Sequence, residues 1–374
     1  PYVSQGVTVP QGSTLVFDPG VVVKSSGTSF AVAGAVSVEG TAVSPVIFTS
    51  EVDDSVGGDS NRDGATTFSS GSQPWLFTPF TIFDAGQVSA DHARVLGGNS
   101  FVSAIPSQYF WVPGAGSGGT ISVTNSDIRA YTSILSMANL ASIRVENTSF
   151  DHLTAVSSSG VGTAVSVLDS DLETAGVSVA GGASVVLEGN RLGSVNLSGV
   201  PGAMVSVTGN ELFGNELIIL GGSSIGGTVL GNTVADGNGG SVMLTGYLSP
   251  GVSHLFSDLP YVSQGVTVPQ GSTLVFDPGV VVKMPTGGPG YPALGFSVAG
   301  VVRVEGSAVD PVVFTAVSDD SIGGDSDRVD DTSTGRWNFV PFGIAQAGQV
   351  DVDRSDVRGG MYFIAATPIP QSWG

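Results

Sequence analysis

Six short segments decide the fold of this chain, because the same pattern returns in each of them. They are residues 121–128 (ISVTNSDI), 143–150 (IRVENTSF), 165–172 (VSVLDSDL), 185–192 (VVLEGNRL), 205–212 (VSVTGNEL) and 227–234 (GTVLGNTV), which begin 22, 22, 20, 20 and 22 residues apart. Apolar residues fill most of the first, third and eighth positions, and this alternation predicts a strand with one buried face. The fifth positions hold residue types that tolerate a left-handed backbone, which predicts a tight bend after each strand. They are Asn125, Asn147, Asp169, Gly189, Gly209 and Gly231.

The length of this repeat indicates the kind of all-β fold. A strand-rich repeat of 20–22 residues is typical of one coil of a parallel β-helix, a solenoid in which each coil covers the apolar face of its neighbour. The leucine-rich repeat has a similar length, but its L-x-x-L-x-L-x-x-N frame is absent. The composition agrees, because 55 glycines and a charged fraction of only 12% favour strands joined by tight turns. We therefore predict an all-β parallel solenoid.

A second, longer repeat predicts the domain organisation. Residues 1–24 recur letter for letter at 260–283, and residues 30–49 match 296–315 at 14 of 20 positions. We therefore predict a first module over 1–245 and the start of a second, truncated copy over 260–374. Residues 246–259, which contain Pro250 and Gly251, are predicted to be a cap and linker. Two loops interrupt the first module, an acidic insertion at 51–72 and a second loop at 99–118. We expect the chain to be part of a longer tandem array.

Three stretches carry a resemblance to a known family. VTVPQGSTLVFDPGVVVK (7–24), VEGTAVSPVIFTS (38–50) and DDSVGGDSNRDG (53–64) resemble the secreted bacterial right-handed parallel β-helix repeat proteins, which are large surface or adhesin-like proteins. The motifs cover about 1–98 and 260–360, and the middle is covered only by periodicity. The resemblance implies right-handed coils and an extracellular or cell-surface location. It supports the fold more than any one activity.

The charge balance excludes several classes of partner. The chain has 12 Lys and Arg against 32 Asp and Glu, a formal net charge of −20. Nucleic acids and anionic membranes attract clustered Lys and Arg, so we predict neither as a partner. Cysteine is absent, and no apolar run is long enough to predict a transmembrane segment. Cations are the natural counterpart of this chain.

The acidic insertion is the best candidate site for such a cation. Asp59 to Gly64 (DSNRDG) match the D-x-[DN]-x-[DN]-G half of a calcium loop, in which alternate oxygens converge on one hard cation. The second copy departs from this pattern, because Val329 takes the fifth place and the glycine is missing. Neither copy has the bidentate Glu at position twelve. We predict Ca²⁺ in both, and the alternative is a solvated acidic insertion that binds nothing tightly. The predicted ligands are Asp53, Asp54, Asp59, Asn61 and Asp63, and in the second copy Asp319, Asp320, Asp325, Asp327 and Asp330.

No set of residues predicts catalysis. Parallel β-helices do host enzymes that degrade acidic polysaccharides, but a lyase needs clustered Lys or Arg, which this chain lacks. Stacked coils also bring outward carboxylates about 4.8 Å apart, which mimics the spacing of a retaining glycosidase. We interpret Asp171, Arg191 and Glu211 as an outward charge ladder. We interpret Asn190, Asn210 and Asn232 as a hydrogen-bonded stack.

The function that this sequence favours is structural. We predict a non-enzymatic, calcium-stabilised extracellular rod of a cell-surface adhesin, surface layer or self-assembling filament. Its partners would be other copies of itself or neighbouring modules. The alternative is a protein that binds surface glycans or degrades acidic polysaccharides, and aromatic residues near Trp75 and Trp337 could form a sugar platform or pack on the rod.

Overall fold

The computed structural model describes most of the chain as strands. The described residues are 1–25, 27–62, 64, 77–104, 118–130, 132–136, 140–151, 154–213, 217–235, 240–256, 258–285, 293–326, 338–345 and 347–366. Within them the only helices are two single 3₁₀ turns, so the protein is all-β. In this described part no helix is long and apolar enough to cross a membrane. The chain divides into two compact units, Pro1–Gly193 and Ser194–Gly374.

The described residues of unit 1 form twenty strands. In chain order they are β1 (Tyr2–Ser4), β2 (Val7–Val9), β3 (Thr14–Phe17), β4 (Val22–Ser25), β5 (Thr28–Val32), β6 (Ala35–Glu39), β7 (Val46–Ser50), β8 (Thr78–Ile82), β9 (Gln87–Asp91), β10 (Ala93–Leu96), β11 (Val102–Ala104), β12 (Thr120–Thr124), β13 (Asp127–Arg129), β14 (Thr132–Ser136), β15 (Ser142–Glu146), β16 (Ser149–Phe150), β17 (Thr154–Ser158), β18 (Ala164–Leu168), β19 (Asp171–Ala180) and β20 (Ser184–Glu188).

These strands pair in three parallel series, and up to β16 each pairs with the strand three places along the chain. The first series is β3-β6-β9-β12-β15-β18, followed by β20. The second is β1-β4-β7-β10-β13-β16-β19, and the third is β2-β5-β8-β11-β14-β17-β19. The second and third series meet in the long strand β19. Long parallel sheets with this order are compatible with a solenoid.

The register confirms two predictions made from the short repeat. Ile121 lies beside Ile143, Ile143 beside Val165, and Val165 beside Val185, so equivalent positions of the repeat stack directly. These side chains are buried, as the alternation predicts. All six fifth positions have φ between 46° and 68°, in the left-handed region. The bend is a local steric requirement, and the sequence therefore reveals it in every repeat.

Unit 2 continues the same kind of pairing. Its elements are β21 (Arg191–Ser198, which begins before the boundary), η1 (Gly202–Met204), β22 (Val205–Thr208), β23 (Glu211–Leu212), β24 (Leu217–Gly221), η2 (Gly222–Ser224), β25 (Thr228–Leu230), β26 (Thr233–Val234), β27 (Ser241–Tyr247), β28 (Gly251–Leu255), β29 (Tyr261–Val268), β30 (Ser272–Phe276), β31 (Val281–Met284), β32 (Ala293–Val298), β33 (Val301–Glu305), β34 (Val312–Ala316), β35 (Phe339–Ile344), β36 (Gln349–Asp353), β37 (Ser355–Val357) and β38 (Ile364–Ala366). The main parallel series are β24-β27-β29, β28-β30-β33-β36, β29-β31-β34-β37 and β29-β32-β35-β38.

The segment 246–259, predicted as a cap and linker, contains a strand that belongs to this pairing. Strand β28 lies within it and pairs in parallel with β30, from Gly251 beside Ser272 to Leu255 beside Phe276. The preceding strand β27 pairs with β29 in the same way. Parallel pairing therefore runs through the segment into the second copy. Pro250 immediately precedes β28, where the missing amide hydrogen does not interrupt the strand pairing.

A cluster of phenylalanine rings occupies part of the interior of each unit. In unit 1, Phe80 contacts four other rings, with centroid distances of 5.2 to 6.1 Å. In unit 2, Phe342 does the same at 5.3 to 6.0 Å. Most contacts are edge-to-face, the favourable arrangement for aromatic pairs. The clusters are Phe17, Phe30, Phe48, Phe80 and Phe101, and Phe276, Phe296, Phe314, Phe342 and Phe363.

Candidate functional site

The acidic insertion is anchored by a buried lysine that the sequence analysis did not identify. Lys24 lies on β4, beside Thr49 of β7, and its side chain is fully buried. Its Nζ donates hydrogen bonds to two backbone carbonyls of the insertion, those of Asp53 (2.6 Å) and Gly58. An ammonium has three donors and no acceptor, so the convergence of carbonyl oxygens on it compensates for the loss of water.

The carboxylate of Asp53 holds the beginning of the same loop. It is almost fully buried, and its Oδ2 accepts a hydrogen bond from the Thr49 hydroxyl at 2.5 Å. Its Oδ1 accepts from the backbone amide and the hydroxyl of Ser55, at 3.0 and 2.5 Å. Both carboxylate oxygens therefore have partners within the protein. We call Lys24, Thr49, Asp53, Ser55 and Gly58 the lysine clasp.

The second copy repeats the clasp in unit 2. Lys283 is fully buried and donates to the carbonyl of Gly324. The Asp319 carboxylate accepts from Thr315 at 2.5 Å, and from the amide and hydroxyl of Ser321 at 3.1 and 2.5 Å. Burial alone would raise the pKa of Asp319. The hydrogen bonds from Ser321 and Thr315, with a smaller effect of the nearby Arg358 charge, outweigh burial, so its pKa lies below the ordinary value of 3.8.

The predicted calcium ligands fall into two groups. Asp53 and Asp319 belong to the clasps, at the start of each loop. Further along, Asp59 accepts hydrogen bonds from the amides of Arg62 (2.6 Å) and Gly64 (3.2 Å), so its carboxylate closes the turn of the sequence DSNRDG. Asp54, Asn61, Asp320 and Asp325 are also in the described part of the insertions, whereas Asp63, Asp327 and Asp330 lie outside it. In the described ranges, no three acidic or histidine side chains form a group that could hold a metal. The calcium site therefore stays a prediction.

The surroundings of Lys24 suit a structural role and not that of a catalytic nucleophile. The described partners of the Lys24 ammonium are neutral carbonyls, and the side chain is closed off from solvent. A buried cation held in this way fixes the start of a long insertion to the strands beneath it. The sequence contained a signal for it, because lysine ends the apolar run VVVK in both copies of a chain with few cations.

A column of small polar side chains lines the bend after the strands of the first series. Ser126, Thr148, Ser170 and Asn190 are all buried. The amide of each of the first three donates to the side-chain oxygen of the next, at 3.4, 3.2 and 2.9 Å. In unit 2, Asn232 Oδ1 accepts from the side chain of Asn210 at 2.9 Å. The predicted asparagine stack is confirmed for that pair.

The outer side of the same bend carries a second ladder, exposed to solvent. Asn147 donates to Asn125 at 2.6 Å, and Asn125 donates to Asp91 at 2.7 Å. Burial tends to raise the pKa of Asp91, but hydrogen bonds, led by the one from Asn125, outweigh it and lower the pKa below 3.8. A groove of about 560 Å³ runs along Asn125 and Asn147 and reaches Asp169 and Asp171. Groups that donate and accept hydrogen bonds line it.

The predicted charge ladder and aromatic platforms can be placed only in part. Arg191 contacts Asp171 at 3.2 Å, and both side chains are about half exposed, which agrees with an outward ladder for that pair. Exposed pairs of this kind contribute little to stability. Glu211 lies in unit 2. Trp75 and Trp337 lie outside the described residues, and the sugar-binding prediction stays a prediction.

Comparisons with protein-family models, with curated proteins and with solved structures return no match for this chain.

Proposed function

We propose that the chain is a right-handed parallel β-helix with coils of about 20–22 residues, and that it serves as a non-enzymatic extracellular structural module. In this proposal it forms part of the rod of a cell-surface adhesin, a surface layer or a self-assembling filament, and its partners are neighbouring modules or other copies. The resemblance of its repeated coil to secreted bacterial β-helix proteins supports the location and the role.

The observation that carries the proposal is the continuous internal stacking of side chains. Three parallel series of strands run through unit 1, and apolar, aromatic and polar side chains each stack on their own kind. Such ladders satisfy buried polar groups and resist bending, which suits a load-bearing element. Several charged residues of the described surface form pairs with each other, such as Arg144 with Glu146 and Arg129 with Asp127.

Two measurements test this structural role. Purified protein is incubated with pectin, alginate and similar acidic polysaccharides, and new reducing ends or unsaturated products are measured. We expect neither, and a turnover that survives repurification and is abolished in an Asp59→Ala variant would replace the structural proposal with an enzymatic one. Sedimentation with calcium at high protein concentration tests assembly, for which we expect concentration-dependent association. A protein that stays strictly monomeric would refute the filament.

Calcium is proposed to stabilise the insertion through Asp59, Asn61 and Asp63, beyond the lysine clasp. Chelation should lower the melting temperature, and a double variant with Asp59→Ala and Asp63→Ala should lose that sensitivity. Asp151→Ala, which removes an exposed acid outside the insertion, is the matched control and should keep it. If chelation changes nothing in the parent protein, the insertion is a solvated acidic loop.

The groove along the outer ladder favours a second candidate function, the binding of surface glycans. Its amide and carboxylate groups could bind sugar hydroxyls. Binding sites for small molecules commonly use a few polar groups of this kind to orient the ligand. A glycan array compares the parent chain with Asn147→Gly, which keeps the left-handed bend but removes the amide. Specific binding that is lost in this variant would support the glycan function, and no binding would leave the structural role.

A further inference from the structure

The repeated coil occurs in two different environments within one chain. Residues 1–24 and 260–283 have the same sequence, yet the first copy is exposed where the second is buried. Tyr2 is 70% exposed and its equivalent Tyr261 is 0% exposed. The same contrast separates Val7 (44%) from Val266 (0%). We call the exposed edge of residues 1–18 the first-coil edge.

The cover of the second copy is known in detail, because it lies in the same unit. Strand β27 pairs with the first half of the repeated coil, with Val242 beside Tyr261 and Leu244 beside Ser263. Strand β28 pairs with the second half, with Ser253 beside Leu274 and Leu255 beside Phe276. Val242, Leu244 and Leu255 are fully buried in this interface.

Polar groups of the second copy are satisfied by the same cover. The amide of Asp277 donates to the carbonyl of Leu255 at 3.1 Å, and the Asp277 carboxylate lies 3.1 Å from Nδ1 of His254. The hydroxyl of Ser272 donates to the carbonyl of Ser249 at 2.8 Å. The equivalents Ser13 and Asp18 are exposed in the first copy. The repeated coil therefore presents apolar side chains, backbone groups and one carboxylate that are all complementary to the sequence of β27 and β28.

We propose that the first-coil edge is a docking surface for a further coil with the sequence of β27 and β28, supplied by another module of the same polypeptide. The register follows from the second copy, with Val242 of the docked coil beside Tyr2, Leu244 beside Ser4, and Leu255 beside Phe17. His254 of that coil faces Asp18. In this chain β27 and β28 are already covered by β29 and β30, so they are not available to dock on a second chain. The inference rests on the proposed structural role, since it describes how modules of the rod join.

The test uses the whole chain, extended at its start. A copy of residues 240–259 is fused directly ahead of Pro1, so that the copied Leu259 precedes Pro1 as Leu259 precedes Pro260. Hydrogen exchange at the amide of Asp18 reports whether the coil has docked. The equivalent amide of the second copy, that of Asp277, donates to the carbonyl of Leu255. We expect exchange there to slow by at least about tenfold relative to the unextended chain.

A matched control carries the same extension with Val242→Asp and Leu244→Asp in the copied segment, and it should leave exchange at Asp18 unchanged. Equal exchange in the parent and extended chains would overturn the proposal, and so would equal protection by the control. Protection that grows with concentration in the unextended chain would also overturn it, because a second copy would then cover the edge. These readings do not depend on calcium or on polysaccharide cleavage, so the proposed function and the docking surface can fail separately.

Discussion

Replacing Lys24 by methionine tests whether the buried ammonium holds the acidic insertion in place. Methionine has a similar length and packs in apolar surroundings, but it has no donor. The carbonyls of Asp53 and Gly58 would then lose their hydrogen bonds to a charged group. Such bonds contribute about 1.5–3 kcal/mol each, and a buried carbonyl left without a partner costs about 1–3 kcal/mol.

The opposing effect is the desolvation of the ammonium, which methionine would relieve. Replacing a buried ion pair by apolar residues is often neutral, because both charged partners are removed together. Here the partners are backbone carbonyls that remain after the substitution, and that of Asp53 stays buried, so the loss should win. We expect a net local destabilisation of about 2–4 kcal/mol, which is less than the roughly 3–6 kcal/mol of the two lost bonds because the desolvation of the ammonium is relieved.

Native-state hydrogen exchange measures this opening without requiring the whole chain to unfold in one step. The reporter is the amide of Asp53, which is bonded to the carbonyl of Ser50 at 3.1 Å. A change of about 2–4 kcal/mol corresponds to exchange that is roughly 30- to 700-fold faster. Lys283→Met should have the same effect on the Asp319 amide and none on Asp53. Arg144→Met, at an exposed position, should change neither. Exchange in Lys24→Met within about threefold of the parent would refute the reasoning.

Substitutions at five further positions test other parts of the structure. Asp169 has φ of 46°, so Asp169→Gly should be tolerated, whereas Asp169→Val should cost about 1–2 kcal/mol in chemical denaturation. Phe80→Ala should cost about 3–5 kcal/mol, and Phe342→Ala should match it within unit 2 if the two ring clusters are equivalent. The pKa of Asp319 is lower in the folded protein than its ordinary 3.8, so its contribution to stability is present above that pH and is lost as the pH falls below it; Asp319→Asn should therefore flatten the acid side of the stability profile of unit 2. Asn232→Ala removes the acceptor of Asn210 and the donor to the carbonyl of Val207, and should lower the melting temperature, while Asn232→Asp should not restore it because a carboxylate cannot donate.

The sequence predicted those features of the fold that depend on neighbours along the chain. Left-handed bends select glycine, asparagine and aspartate at each coil, and inward positions select branched apolar residues, so both were visible at Asn125 and Ile121. The direction of pairing also followed, because a regular spacing of 20–22 residues leaves parallel stacking as the simplest arrangement.

Features that depend on distant contacts were missed. Lysine is rarely fully buried, and Lys24 is buried only because a loop that begins after β7 folds over it. Ser126 and Thr148 resemble turn residues in the sequence, and their role as buried acceptors becomes visible only when successive repeats pair with each other. The strand at 251–255 was not predicted, because the proline before it was interpreted as part of a linker.

Two of the three kinds of connection between strand series in unit 1 differ in how much extra sequence they accept. After the first series, the next strand follows within a few residues, as from β12 to β13 and from β15 to β16. After the second series, the connection from β4 to β5 is residues 26–27, whereas the connection from β7 to β8 is residues 51–77. Strands β5 and β8 nevertheless pair in parallel. Segment length is therefore uncoupled from strand pairing at that corner. This makes it a natural graft point, where foreign peptides could be carried on the scaffold without altering the alignment of its layers.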